Sequence, residues 1–315
     1  MTAPWLSVVM PVHAGGKWLA ETLASVARED TSGIEIILFD SSEDDACQQI
    51  AATFSHSLTL RYERRIDIKP WTTKTNLAVD SARASHVAML HQDDLWLPGR
   101  AATLRRAIDA APEATLLLFP SKIVDPASRP LGTWRCPLPT GRNSPLEVIA
   151  ERLLVQNFVA LPAPVIRRDA WLATGGMDES LWYTADWDLY LKLARQGPVC
   201  YEPIASTAFR IHPDSLTVSG SRNRADFIAQ MACVINRHID LVRPERRERV
   251  LRCAWASVRV NDSLAAAARG ERGALVEAVG ALLRLSPADM RRYWRDSRLS
   301  ERVWPRMRAR FAGSF

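Results

Sequence analysis

The chain has 315 residues, 47% of them hydrophobic, enough for one large domain or one and a half with a core of ordinary size. No stretch approaches the roughly 18 apolar residues of a spanning helix, and no basic segment followed by an apolar one opens the chain, so neither a membrane span nor a signal peptide is expected. The formal charge is +6, and five scattered cysteines (Cys47, Cys136, Cys200, Cys233, Cys253) form no Cys-x-x-Cys pair, which argues against a zinc site and for a reducing, cytoplasmic location.

Leu6 to Met10 reads as a buried strand ended by Pro11. Lys17 to Arg28 places Leu19, Leu23, Val26 and Ala27 on one helical face. Ile34 to Phe39 is a second strand, stopping at Asp40-Ser41-Ser42, and a helix follows from Asp44 to Phe54. Leu58 to Tyr62 is a third strand, and Thr72 to Arg83 a helix with Leu77, Ala78 and Ala82 inward. His86 to Leu90 is a fourth strand, ending on His91-Gln92-Asp93-Asp94. Pro98 sits where a first helical residue would, and Ala101, Leu104 and Ile108 give the next helix its buried face. Thr115 to Phe119 is a fifth strand. Residues 120–165 read as loop-rich, punctuated by prolines, with Asp125 to Arg129 as a turn. Val165 to Ala173 leads to the glycine turn Gly175-Gly176-Met177-Asp178-Glu179. Asp186 to Arg195 is a helix with Leu189, Leu193 and Ala194 inward, closed by Gly197-Pro198. Beyond Gly220 the pattern is helical only.

Strands alternating with helices predict an α/β fold, a mostly parallel sheet with helices on both faces. Ligands in such sheets bind where strands stop at their carboxyl edge. Pro11-Val12-His13, Asp40-Ser41-Ser42 and His91-Gln92-Asp93-Asp94 all fall there. Carboxylates at such an edge suit a divalent metal held against a diphosphate. A second carboxylate brought near by folding, in Asp186-Trp187-Asp188, suits removal of a proton from an acceptor hydroxyl. No Gly-x-Gly-x-x-Gly follows the first strand and no Gly-Lys-Ser/Thr phosphate loop is present, which argues against a dinucleotide oxidoreductase.

In order and spacing these segments resemble the family 2 glycosyltransferases, inverting enzymes of the GT-A fold, over roughly residues 5–220. The resemblance rests on Ser7 to His13, Ile36 to Ser42, Asn76-Leu77-Ala78, Leu90 to Pro98, Arg167-Arg168 with Gly175 to Glu179, Ala185 to Leu189, and Arg210 to Thr217. It implies a GT-A domain over 1–220, with 1–115 its nucleotide-sugar-binding half and 116–220 its acceptor-side half, and a basic helical region over 221–315. It implies Asp186 as catalytic base, and a divalent metal, Mn²⁺ or Mg²⁺, held by Asp93 with His91 and His212. Donor contacts fall to Pro11, Val12, His13, Asp40, Ser42, Asn76, Gln92 and Asp94, and acceptor-side contacts to Trp187 and Asp188. The sequence departs from the family pattern twice: His91 stands where the metal motif has its first Asp, and Ala185 precedes the base where the family has an acid. Imidazole ligates Mn²⁺ more readily than Mg²⁺, which prefers oxygen.

The implied reaction moves a sugar from a nucleoside-diphosphate sugar to a hydroxyl of a glycan or lipid-linked acceptor, in cell-surface polysaccharide synthesis. Residues 1–220 carry 21 Lys and Arg against 25 Asp and Glu, whereas 221–315 carry 20 against 10. In 289–315 Met290, Tyr293, Trp294, Val303, Trp304, Met307 and Phe311 recur at helical spacing among arginines. A basic amphipathic helix of this kind suits peripheral contact with the inner face of an anionic membrane, or packing on the acidic front half. The alternative reading is a catalytically inactive module of the same fold that acts through its basic tail. No nucleic-acid partner is expected, since no binding motif is present and the front half is acidic.

Overall fold

The structure is a computed structural model and describes residues 3–141, 143–213, 215 and 223–311. Its strands are β1 (Leu6–Val12), β2 (Ile34–Asp40), β3 (Thr59–Arg64), β4 (His86–Met89), β5 (Leu95–Trp96), β6 (Leu116–Leu118), β7 (Ser121–Val124), β8 (Pro130–Trp134), β9 (Asn143–Ser144), β10 (Val165–Arg167), β11 (Val199–Tyr201) and β12 (Thr207–Arg210). Its α-helices are α1 (Leu19–Ala27), α2 (Ala46–Thr53), α3 (Trp71–Ser81), α4 (Arg100–Ala110), α5 (Leu146–Leu153), α6 (Arg168–Ala173), α7 (Ala185–Gln196), α8 (Arg224–His238), α9 (Pro244–Ala268), α10 (Ala274–Leu283), α11 (Pro287–Ser297) and α12 (Leu299–Phe311).

β1 and β2 are buried along their whole length, as apolar runs must be when helices cover both faces of a parallel sheet. β1 pairs in parallel with β2 and β4, and β2 with β3. β10 enters antiparallel between β4 and β6, and the full order is β3-β2-β1-β4-β10-β6-β11-β9. Neighbouring strand residues face opposite layers: Val8, Met10, Ile36 and Leu38 pack with α1 and α4, whereas Val9, Ile37 and Met89 pack with α5 and α7. This is the mostly parallel, helix-covered sheet of the GT-A fold, followed by an all-helical region.

Residues 120–165 are more ordered than their prolines suggest. β7 and β8 form a hairpin around the Asp125 to Arg129 turn, and join β12 and β5 in a second sheet, β5-β12-β7-β8. Pro130 takes the first position of β8, where a missing N–H is tolerated. Pro98 is not the first helical residue. α4 begins at Arg100 behind Gly99, whose φ of 83° is left-handed and favours glycine.

The C-terminal helices share the core. Phe227, Met231, Val234 and Ile235 of α8 and Val250, Ala254 and Val258 of α9 lie in one apolar cluster with α5, α7 and the sheet. The expected boundary at residue 220 lies outside the described residues, as do Asp214, Leu216 and Thr217 of the closing segment.

Candidate active site

β1, β2 and β4 stop side by side, and their ends are tied into one rim. The Val12 carbonyl accepts from Lys74 Nζ at 2.5 Å and from Ser41 N at 3.0 Å. Lys74 Nζ also donates to Ser41 Oγ at 2.8 Å. His13 N donates to Gln92 Oε1 at 2.7 Å, and Gln92 Nε2 donates back to His13 O at 2.8 Å. Gln92 is therefore a clip between the ends of β1 and β4. Asp40 is fully buried: Oδ1 accepts from Ser42 N at 2.8 Å and Ser42 Oγ at 2.5 Å, and Oδ2 from Tyr62 OH at 2.5 Å. Burial and the Asp40 carboxylate push the Tyr62 hydroxyl upward, which keeps it a donor. Burial lowers Lys74 to about 8, against the pull of Asp40.

A second cluster lies where β4 meets the second sheet. Asp93 Oδ2 accepts from His212 Nε2 at 2.8 Å. Burial works to raise Asp93, but the His212 hydrogen bond and the His91 and His212 rings hold it below the ordinary carboxylate range. His212 is 4% exposed and packs against Trp18 with ring centroids 4.3 Å apart and ring planes tilted by 46°. Burial lowers His91 to about 4, helped by Lys74, so its ring is neutral at physiological pH. Asp94 turns inward and accepts from Arg210 N at 3.0 Å. Burial and the neighbouring Asp93 charge push it well above the ordinary range. Arg210 is 1% exposed and fully engaged: Nη2 meets Glu21 Oε2 at 2.8 Å, Nε donates to Asp93 O at 2.7 Å, and Nη1 to Ser128 Oγ at 2.9 Å.

Asp93 and His212 thus present a carboxylate oxygen and an imidazole nitrogen side by side. His212 Nδ1 and His91 Nε2 are buried with no hydrogen-bond partner among the described residues. Among the described residues no group of three or more His, Cys, Asp or Glu converges on one point. The protein offers an O,N pair that fits Mn²⁺, which tolerates an imidazole ligand better than Mg²⁺ does, and whose remaining positions suit phosphate and water oxygens.

Asp186 lies in the first turn of α7. Burial raises it to about 6, against the hydrogen bond that Asn157 Nδ2 donates to its Oδ2 at 2.9 Å. Trp71 connects this carboxylate to the second cluster. Its ring meets His91 at 5.3 Å between centroids, and its Nε1 donates at 2.8 Å to the carbonyl of Trp182, four residues before Asp186.

The expected residues therefore separate by position. Pro11, Val12, His13, Ser42 and Gln92 form the rim, with Asp40 buried beneath it. Asp93 and His212 meet beside the second sheet, and His91 lies just before them in the chain, against Trp71. Three others face elsewhere. Asn76 donates to Met177 O and Glu179 Oε1, both at 3.0 Å, and its Oδ1 accepts from Met177 N at 2.9 Å, so its amide clamps the glycine turn. Trp187 is buried and donates from Nε1 to Leu153 O at 2.9 Å. Asp188 is buried and meets Arg237 at 2.9 Å, His238 at 2.8 Å and Lys192 at 2.8 Å. His238 and Lys192 hold it near 2 although burial alone would raise it. α7 explains this split: residues one and two positions beyond Asp186 point to other sides of the helix.

Sequence reasoning missed Lys74, Asn157, Trp18 and Trp71. Lys74 carried a signal, a cation on the inward side of α3 beside Thr75 and Ala78. Asn157 carried none, since it lies in an aperiodic loop.

Residues 7–155 match the family model described as Glycosyl transferase family 2. The uncharacterized glycosyltransferase RP339 of Rickettsia prowazekii is 22% identical over 222 residues, 68% of this chain and 66% of the relative. The chain spans about two thirds of the length of the curated relatives it matches first. Among solved structures, the mannosyltransferase PcManGT from Pyrobaculum calidifontis in complex with GDP-Man and Mn²⁺ aligns with a TM-score of 0.59 at 16% identity, over 100% of this chain and 86% of that one. S. aureus TarS 1-349 in complex with UDP-GlcNAc aligns with a TM-score of 0.55 at 16% identity, over 88% of each chain. At these identities the structural likeness is one of fold.

Proposed function

We propose that this chain, whose residues 7–155 match the Glycosyl transferase family 2 model, is an inverting glycosyltransferase of that family that moves a sugar from a nucleoside-diphosphate sugar to a hydroxyl of a glycan or lipid-linked acceptor. The observation that carries this reading is Asp186, a carboxylate raised to about 6 and oriented by Asn157. A base of that strength is ionised at neutral pH and still takes a proton readily. Its Oδ receives the acceptor hydroxyl proton as the acceptor oxygen bonds to the anomeric carbon. The bond from that carbon to the β-phosphate oxygen breaks on the opposite side, and the nucleoside diphosphate leaves. The rim formed by Val12, His13, Ser42 and Gln92 holds the nucleotide, and Asp40 sets the rim's shape from below. Asp93 and His212 would hold a divalent cation, with His91 beside them. Such an ion supplies Lewis-acid stabilisation of the leaving diphosphate. The complexes of PcManGT with GDP-Man and Mn²⁺ and of TarS with UDP-GlcNAc add support by analogy.

The division at residue 220, a place in surface polysaccharide synthesis and a cytoplasmic location belong to the same proposal. So does peripheral membrane contact through 289–315, with the exposed Trp294, Trp304 and Met307 as its support. No helix among the described residues is long and apolar enough to cross a membrane.

Calorimetric titration with UDP, dTDP, GDP and CDP, each with Mn²⁺, Mg²⁺ or chelator, tests the reading. One nucleotide should bind with metal and lose affinity with chelator, and Asp93→Ala should abolish that difference. Asp186→Asn should keep the nucleotide affinity and lower turnover by about 10²–10⁴-fold. Binding of no nucleotide under any condition would favour the inactive module.

A further inference from the structure

The last helix is packed inside out. Residues 302, 305, 306 and 309 share one face at helical spacing, and Pro305 and Ala309 on that face are buried. Ala309 packs with Leu131 of β8 and with Ile211, the neighbour of His212. Pro305 lies over Gly132, so close that a Cβ there would stand 3.0 Å from Pro305 Cγ. The same inward face carries Arg302 and Arg306, while Trp304, Met307 and Arg308 face solvent. Arg302 donates from Nη1 to Asn261 Oδ1 at 2.8 Å and from Nε to Ser297 O at 3.1 Å, and its Nη2 is buried with no partner. Arg306 donates from Nη1 to the Arg302 carbonyl at 2.7 Å. Neither meets a carboxylate among the described residues. Two adjacent guanidinium groups turned inward, with no carboxylate partner among the described residues, are costly to keep. Burial lowers Arg302 to about 10 and lowers Arg306 too. Asn261, which accepts from Arg302, donates from Nδ2 to Gln156 Oε1 at 2.9 Å, and the next residue, Asn157, donates to Asp186.

We propose that Arg302 and Arg306 form an anion subsite beside Asp186 that binds a phosphate or carboxylate group of the acceptor, making the acceptor an anionic glycan or a phosphate-bearing carrier. The assignment of this anion to the acceptor rests on the transferase reading, and the anion subsite itself does not. The hydrogen-bonded path from Arg302 through Asn261 and Gln156 reaches the loop whose Asn157 holds Asp186, which puts the pair on the side of the proposed base. The planar guanidinium fork suits both phosphate and carboxylate.

The test is calorimetric binding of glycerol 1-phosphate and of glucuronate to the full chain saturated with its nucleotide and Mn²⁺. Arg306→Gln should weaken binding of the anionic probe by about tenfold or more, the usual value of a hydrogen bond to a charged group. Arg306→Lys should restore part of it, and nucleotide affinity should change by less than about twofold. Sulfate should compete with the probe on the unmodified protein, a readout that needs no variant to fold. Unchanged probe affinity in a folded Arg306→Gln, or no competition by sulfate, would overturn the subsite. An equal loss of nucleotide affinity would assign the pair to the leaving diphosphate and overturn its place at the acceptor. If no nucleotide binds but glycerol 1-phosphate still binds through Arg306, the transferase reading fails and the anion subsite stands.

Discussion

Asp186 is one residue in three positions of similar sequence character, and only its environment separates it from Asp188. Asp188 is surrounded by Arg237, His238 and Lys192 and held near 2. Asp186 has neutral partners, the Asn157 amide and the backbone N–H groups of the first turn of α7, and burial lifts it to about 6. Two carboxylates two residues apart are thereby pushed in opposite directions, which is how acid and base roles are assigned in one fold. The consequence is a pH dependence. Below about 6 Asp186 is protonated and cannot take the acceptor proton, so kcat/KM should rise with pH through about 6. Asn157 favours the ionised form by donating to it. Asn157→Ala should therefore move the acid limb to higher pH, by about one to two units, since a hydrogen bond to a charged group contributes about 1.5–3 kcal/mol. A pH–rate profile of the two proteins checks this, and a limb that moves down or stays put would remove Asn157 from the role. His91 behaves oppositely: burial and Lys74 keep its ring neutral well below physiological pH, so the limb cannot be assigned to it.

At the scale of elements, α3 does two jobs from two sides. Lys74 reaches the ends of β1 and β2, and Asn76 holds the glycine turn through Met177 and Glu179. Gly176 has a φ of 74°, and a Cβ on it would come within 2.7 Å of Asn76 Oδ1, so the turn and the clamp fit only with glycine there. Asn76→Ala should thus lower unfolding free energy by about 2–3 kcal/mol, from hydrogen bonds lost at a half-buried site, while nucleotide affinity stays within about twofold. Denaturant unfolding and nucleotide titration of the same variant separate the two. A large loss of nucleotide affinity at unchanged stability would return Asn76 to the donor contacts. The strands and helices up to Phe119 were legible because the central strands are unbroken apolar runs and the helices are amphipathic, signals that depend on local periodicity. The second sheet was not: its strands are short, edged by Pro120, Pro126 and Pro130, and stabilised by partners far away in sequence such as β12. The same limit applies at the site. Asp93, His212 and Asp186 were legible as motif residues, whereas Asn157 and Trp71 matter through contacts that only folding creates.

The whole molecule resolves the charge asymmetry between front and back. Arginines of the basic region pair with acids of the front half: Arg246 and Arg292 with Glu151, Arg237 with Asp178 and Asp188, Arg243 with Glu147. Others pair within the region, Arg249 and Arg252 with Asp289 and Arg224 with Asp262. Much of the +10 of residues 221–315 is therefore spent on attaching those helices to the sheet domain, in keeping with packing on the acidic half. The apolar contacts run the same way, since α8 and α9 complete the cluster that buries α5 and α7. Asn261 of α9 and Ser257 both donate to Gln156, at 2.9 Å and 2.8 Å, next to the Asn157 that holds Asp186. The region beyond 220 thus braces the loop of the proposed base as well as the core. A chain ending at residue 220 would expose the surface now covered by Phe227, Met231, Val234, Ile235, Val250, Ala254 and Val258. Burying each larger side chain contributes about 1.5–3 kcal/mol, and a handful of them rivals the about 5–15 kcal/mol net stability of a domain. Such a chain should be insoluble or lack a cooperative thermal transition, whereas the full chain should show one transition in calorimetry. A soluble 1–220 fragment with its own transition and undiminished nucleotide affinity would instead mean that the helices are an attached unit, and that the bracing of Asn157 through Gln156 is dispensable for the site.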